Sequence, residues 1–137
     1  MRPAQYALKE YQQNQVDAGV AYADPHTLIA MLLDGLLDRL AVAKGTMERG
    51  AYAEKSRTIG NAIEILNYLQ TILDPEKGGE VAENLGRLYA YMIERLFWAS
   101  SRNDTAILDE VGDLVREIRS GWEGMRDAAS QAGFPVS

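Results

Sequence analysis

A chain of 137 residues is long enough to enclose one hydrophobic core without covalent staples. It has no cysteine and one histidine, which excludes disulfide frameworks and thiolate metal sites. A net charge of −6 argues against a nucleic-acid backbone as partner, and the opening MRPAQYALKEYQQ lacks the apolar run of a signal peptide. The longest uninterrupted apolar run, 28–33, is too short to span a bilayer, so a soluble, cytoplasmic, single-domain protein is expected.

Nothing alternates with period two for long, and the prolines and glycine pairs fall between helical stretches. An all-α chain follows. Residues 3–15 can form a short helix whose sizeable apolar side chains are Tyr6, Leu8 and Tyr11. A helix this short is marginal alone. Two readings of the arm 1–23 stand: a loosely packed segment, or a lid that covers a partner site with Leu8 and Tyr11. Burying those two side chains would gain about 1.5–3 kcal/mol each before ordering costs, so such a lid closes only marginally.

Residues 16–23 form an irregular connector that ends at Asp24-Pro25-His26. Asp is a favoured N-cap and Pro suits the first helical position, so a helix starts here and runs to about Arg49, closed by Gly50. The lone His26 reads as a capping or packing residue. Leu28, Ile29, Met31, Leu32, Leu33, Leu36, Leu37 and Leu40 spread over roughly 240° of the helical wheel, against roughly 100° for an ordinary surface helix. Either this helix has neighbours on two sides, or part of the arc, at Leu33 and Leu37, lines an exposed groove. The two readings are compatible.

The next helix, about 52–73, carries a core stripe of Tyr52, Ile59, Ile63, Leu66, Leu69 and Leu73. Ile65, Tyr68 and Ile72 fall outside that stripe and are expected to form a strip for a partner helix rather than core. Contact with the N-terminal arm is an equally simple explanation. Asp74-Pro75 interrupts the helix, and Gly78-Gly79 allows positive φ in the reversal that follows. From Val81 the clearest stripe in the chain continues through Leu85, Leu88, Tyr89, Met92, Ile93 and Leu96, on a helix antiparallel to its predecessor. Tyr91 and Trp98 lie on its flank as interface candidates, because aromatic residues concentrate at binding hot spots. Scattered exposed aromatics are also ordinary. Arg102-Asn103-Asp104 ends this helix, and Asn103 or Asp104 caps a last one, about 105–129. Its stripe runs Ile107, Leu108, Val111, Leu114, Val115, Ile118, Trp122 and Met125, and the tail 131–137 should fray.

The chemistry of an enzyme is missing from this pattern. A di-iron bundle needs two Glu-x-x-His motifs and two further glutamates, and the one histidine has no glutamate three residues before it. Asp34 and Asp38 read as a solvated helix edge. No phosphate loop, nucleophile elbow or zinc spacing occurs, so no catalytic residue, cofactor or metal is expected.

Four ordered blocks remain: DPHTLIAMLLDG at 24–35, ILDPEKGGEVAENLGRLYAYMIERL at 72–96, SRNDTAILDEV at 101–111 and VREIRSGW at 115–122. Together they resemble the FliS family of flagellar secretion chaperones, over about residues 8–124. The resemblance implies an antiparallel four-helix bundle, 24–130, with a short extra N-terminal helix. It further implies a cytoplasmic clamp for the disordered C-terminal segment of flagellin, which blocks premature polymerisation and hands the cargo to the flagellar type III export gate. A co-chaperone or an anti-sigma factor are further partners in view, without nucleic acid or membrane insertion. Leu8 and Tyr11 match the apolar pair of the family's N-terminal segment, which can occupy part of the groove in the free protein. Departures are Asp24 for the usual Ser before Pro-His, Glu94-Arg95 for paired arginines, Ala99-Ser100-Ser101, and Trp98 for a polar residue. The nominated partner-binding residues are Leu8, Tyr11, Leu33, Leu37, Ile65, Tyr68, Ile72, Tyr91 and Trp98. The alternative is a structural bundle whose extra apolar faces form a homodimer, or which binds another flagellar regulatory protein.

Overall fold

The computed structural model describes the backbone of residues 24–131 and the side chains of residues 24–125. The short extra helix expected at 3–15, and with it Leu8 and Tyr11, lies outside the described residues. Four helices follow one another: α1 (Pro25–Glu48), α2 (Tyr52–Thr71), α3 (Pro75–Arg102) and α4 (Thr105–Gln131). Each connection is short, so successive helices run antiparallel, and α1 packs on α2 and α4 while α3 packs on the same two. The result is an antiparallel four-helix bundle.

Local chemistry sets each boundary. Asp24 accepts the Thr27 N–H at 2.7 Å, and Pro25 follows it in the first turn of α1. Asp74 repeats the device, accepting the N–H groups of Glu76 and Lys77 ahead of α3. At its other end α3 closes with Asn103 in the left-handed region at φ 52°. The Asp104 N–H then reaches the Ala99 carbonyl at 3.0 Å and the Asn103 N–H reaches Ser100, the double bond of a Schellman ending. Asp104 in turn accepts the Ala106 N–H and so begins α4. α2 lacks a side-chain cap, but Lys55 anchors its start from within. Lys55 is 8% exposed, and its ammonium donates to the Ser100 carbonyl at 2.9 Å, a favourable place for a cation at the C-terminal end of α3.

The elbow differs from the expectation in one respect. Helical hydrogen bonding begins at Pro75 rather than Val81, and the break falls inside α3 at Gly79, with φ 52° and ψ −129°. That conformation is essentially reserved for glycine. Gly78 is constrained differently: a Cβ there would lie 2.7 Å from the Ala82 Cβ.

The core runs along the bundle axis through Leu32, Leu36, Leu66, Met92, Leu96 and Val111, all sealed from solvent. Burial of each such side chain contributes about 1.5–3 kcal/mol. Two nominated groove residues belong to this core. Leu33 is fully buried and Ile65 is only 2% exposed, against the expectation that both face a partner. The reason is the two-neighbour packing of α1 and α2, which widens the buried arc of each helix beyond a single stripe. The opposite correction applies at the ends of the helices. Tyr52 (60% exposed), Val81 and Met125, all assigned to core stripes, stand in solvent.

A candidate binding cleft at one end of the bundle

The end of the bundle where α1 and α3 start, and α2 and α4 finish, is open. From 75 to 88 the only buried residue of α3 is Ala82. Below this stretch lies a cavity of about 370 Å³. Its walls are Pro25 and Ile29 from α1, and Leu69, Ile72 and Leu73 from the end of α2. α3 adds Val81, Leu85 and Tyr89, and α4 closes the ring with Trp122 and Met125. Such a cleft can take the apolar face of a helix or an extended apolar segment.

One wall is held by a reciprocal latch. The His26 ring stacks on the Trp122 indole with centroids 4.6 Å apart and planes 16° from parallel. Trp122 Nε1–H donates to the His26 carbonyl at 2.9 Å, and His26 Nε2 lies 2.8 Å from the Trp122 carbonyl. A carbonyl can only accept, so Nε2–H donates, and Nδ1 is sealed without a partner among the described residues. His26 is thus a packing residue that ties α4, at Trp122, to the first turn of α1.

The nominated residues that fall among the described ones do not gather along one groove. Ile72 lines the cleft. Tyr68 is half-buried against the core. Leu37 sits in the crease between α1 and α4, where a second cavity of 430 Å³ is flanked by the Lys44–Asp109 and Arg116–Asp113 ion pairs. Tyr91 and Trp98 are exposed on α3 beside α4, and Trp98 carries the Arg102 guanidinium 4.3 Å above its ring. The cleft residues missed by the sequence reading are chiefly Ile29, Val81, Leu85, Trp122 and Met125. Each was visible as part of an apolar stripe. What periodicity does not reveal is where a stripe runs past the end of its neighbours.

Tyr91 has a defined role beside this surface. Its hydroxyl donates to Glu110 at 2.6 Å and Arg95 Nε donates to the same carboxylate at 2.8 Å. These two bonds, Tyr91 first, hold the Glu110 carboxyl below its usual range. A lowered folded value means stability that is fully present above the unfolded carboxylate range and lost as pH falls through the lowered value. Glu110→Gln should therefore cost a little stability at neutral pH. The difference in Tm from the parent should shrink on acidification to about pH 3, as thermal melts across that range would read. The cluster is solvent-accessible, so the effect stays small.

Among the described residues no group of three or more histidine, aspartate or glutamate side chains could hold a metal ion. None of the described helices is long and apolar enough to cross a membrane. Bundle and cleft define an all-α four-helix module with an open apolar end. The sequence profile described as "Flagellar protein FliS" matches residues 7–129, and the chain belongs to that family. It is 52% identical over 122 residues to the flagellar secretion chaperone FliSB of Pseudomonas aeruginosa, covering 89% of this chain and 97% of that protein. It is 42% identical over 124 residues to the flagellar secretion chaperone FliS of Salmonella typhimurium, covering 90% and 92% of the two chains. The Vibrio cholerae protein of the same name is 35% identical over 117 residues, covering 85% and 86%. Export chaperone activity in flagellum biogenesis follows from this membership.

Proposed function

We propose that the cargo is flagellin: the chaperone binds its C-terminal segment in the cytoplasm, keeps it from polymerising, and delivers it to the flagellar export gate. The observation that carries this reading is the open apolar cleft at the α1/α3 start, present in a chain of the FliS family. Among the described residues nothing covers Val81, Met125 and half-exposed Ile72 at this mouth, and a helix-forming cargo would bury them. Cargo folds as it binds, so net affinity stays below what the buried area suggests, and release requires hand-off rather than ATP.

Calorimetric titration of the full chain with a synthetic peptide of the flagellin C-terminal segment tests the reading. Saturable 1:1 binding with a negative heat-capacity change is expected, because apolar surface is buried. Absence of binding, or equal binding of a scrambled peptide, would reject it. The homodimer alternative predicts instead that sedimentation gives twice the monomer mass and that peptide leaves this mass unchanged.

A further inference from the structure

The cleft is apolar except at a few points. Tyr89, on α3, is 2% exposed, yet its hydroxyl has no hydrogen-bond partner among the described residues. His26 Nδ1 is the sole fully sealed side-chain nitrogen or oxygen left unpartnered among those residues, so the Tyr89 oxygen is not sealed. Tyr89 is among the residues that line the cleft. Desolvation pushes its phenol up to about 12, which keeps the group protonated and able to donate at any physiological pH. The second point is Lys77, exposed on the rim one turn into α3. Its ammonium makes no ion pair among the described residues. Asp74, the other ionisable chain on that rim, is engaged as the cap of α3.

An apolar groove alone does not fix register. A cargo helix sliding by one turn exchanges one aliphatic contact for another, whereas a buried hydroxyl left without a partner disfavours every register but one. We propose that Tyr89 and Lys77 set the register of the bound segment. The Tyr89 hydroxyl hydrogen-bonds a polar group on the inward face of the cargo helix, and Lys77 pairs with a carboxylate farther along it. Lys77 lies beyond the Gly79 break from Tyr89, so the two matching cargo groups fall at separate points along the bound helix. This rests on the cleft being the cargo site, and it adds the chemistry that the site demands.

The experiment uses the full chain, the flagellin C-terminal peptide, and two variants, Tyr89→Phe and Lys77→Glu. The parent chain must first bind the peptide; failure there rejects the cargo reading itself and is read separately. Given parent binding, Tyr89→Phe should raise Kd by roughly 3–10-fold, the effect of one lost hydrogen bond. The Tm of the free variant should hold or rise, because an unpartnered hydroxyl has been removed. That opposition of signs is what a merely structural tyrosine would not produce. Lys77→Glu should also raise Kd by roughly 3–10-fold at low salt, with the gap from the parent narrowing as salt screens the pair. An unchanged Kd in Tyr89→Phe overturns the hydroxyl's role, and a lowered Tm beside it places the bond within the protein. An unchanged Kd in Lys77→Glu at low salt removes the carboxylate from the proposed register.

Discussion

Ile65→Ser should destabilise the free bundle by about 3–5 kcal/mol, enough to threaten folding in a domain of ordinary stability. Ile65 is 2% exposed and packs with Ala62, Leu66 and Leu69 in the layer between α2 and its neighbours. Serine there leaves a cavity and adds a hydroxyl, and both changes act in the same direction. Ile72→Ser is the contrast. Ile72 is half-buried on the wall of the open cleft, so its loss should cost under about 1.5 kcal/mol and instead weaken flagellin-peptide binding. Denaturant midpoints for the two variants separate the cases directly. Equal midpoints would mean that Ile65 faces a surface after all.

The fold was legible because helix ends carry their own chemistry. Asp24-Pro25 announces a helix start from sequence alone, and Asp24 caps as expected. Asp74-Pro75 reads in the sequence as an interruption, yet Asp74 caps α3 by the same device. Asn103 and Asp104 divide the last reversal as the pattern suggests, one ending α3 and the other beginning α4. The site was less legible. The wide arc of α1 reads correctly as two neighbours, and Leu33 is buried between them, whereas the stripe of α2 is read against one neighbour although α2 also has two. Ile65, outside that stripe, is buried by the second neighbour. The converse error came at the ends, where Tyr52, Val81 and Met125 follow the stripe faithfully but run beyond the packed layers. The cleft lies in one of those overruns. Tyr91 and Trp98, nominated as interface residues, lie on the surface, and their local partners are Glu110 and Arg102. The His26–Trp122 latch joins residues 96 apart in sequence, and no local pattern connects them.

That latch leads to the second large expectation, because it couples stability to the cleft. Trp122→Ala should cost about 2–4 kcal/mol, somewhat below the full range for a buried tryptophan, since Trp122 is half-buried. It removes the stack on His26, leaves the His26 carbonyl without its indole donor, and deletes one wall of the cleft. Trp122→Phe keeps an aromatic ring against His26 but loses the Nε1–H bond, so its cost should be nearer about 1 kcal/mol. Peptide affinity should follow the wall rather than the hydrogen bond: lost at least tenfold in Trp122→Ala and largely retained in Trp122→Phe. Urea unfolding and peptide titration on the same preparations read both quantities. If Trp122→Ala lowers stability while peptide affinity stays at the parent value, the cleft is not where the cargo lies, and the latch serves only to hold α4 against α1.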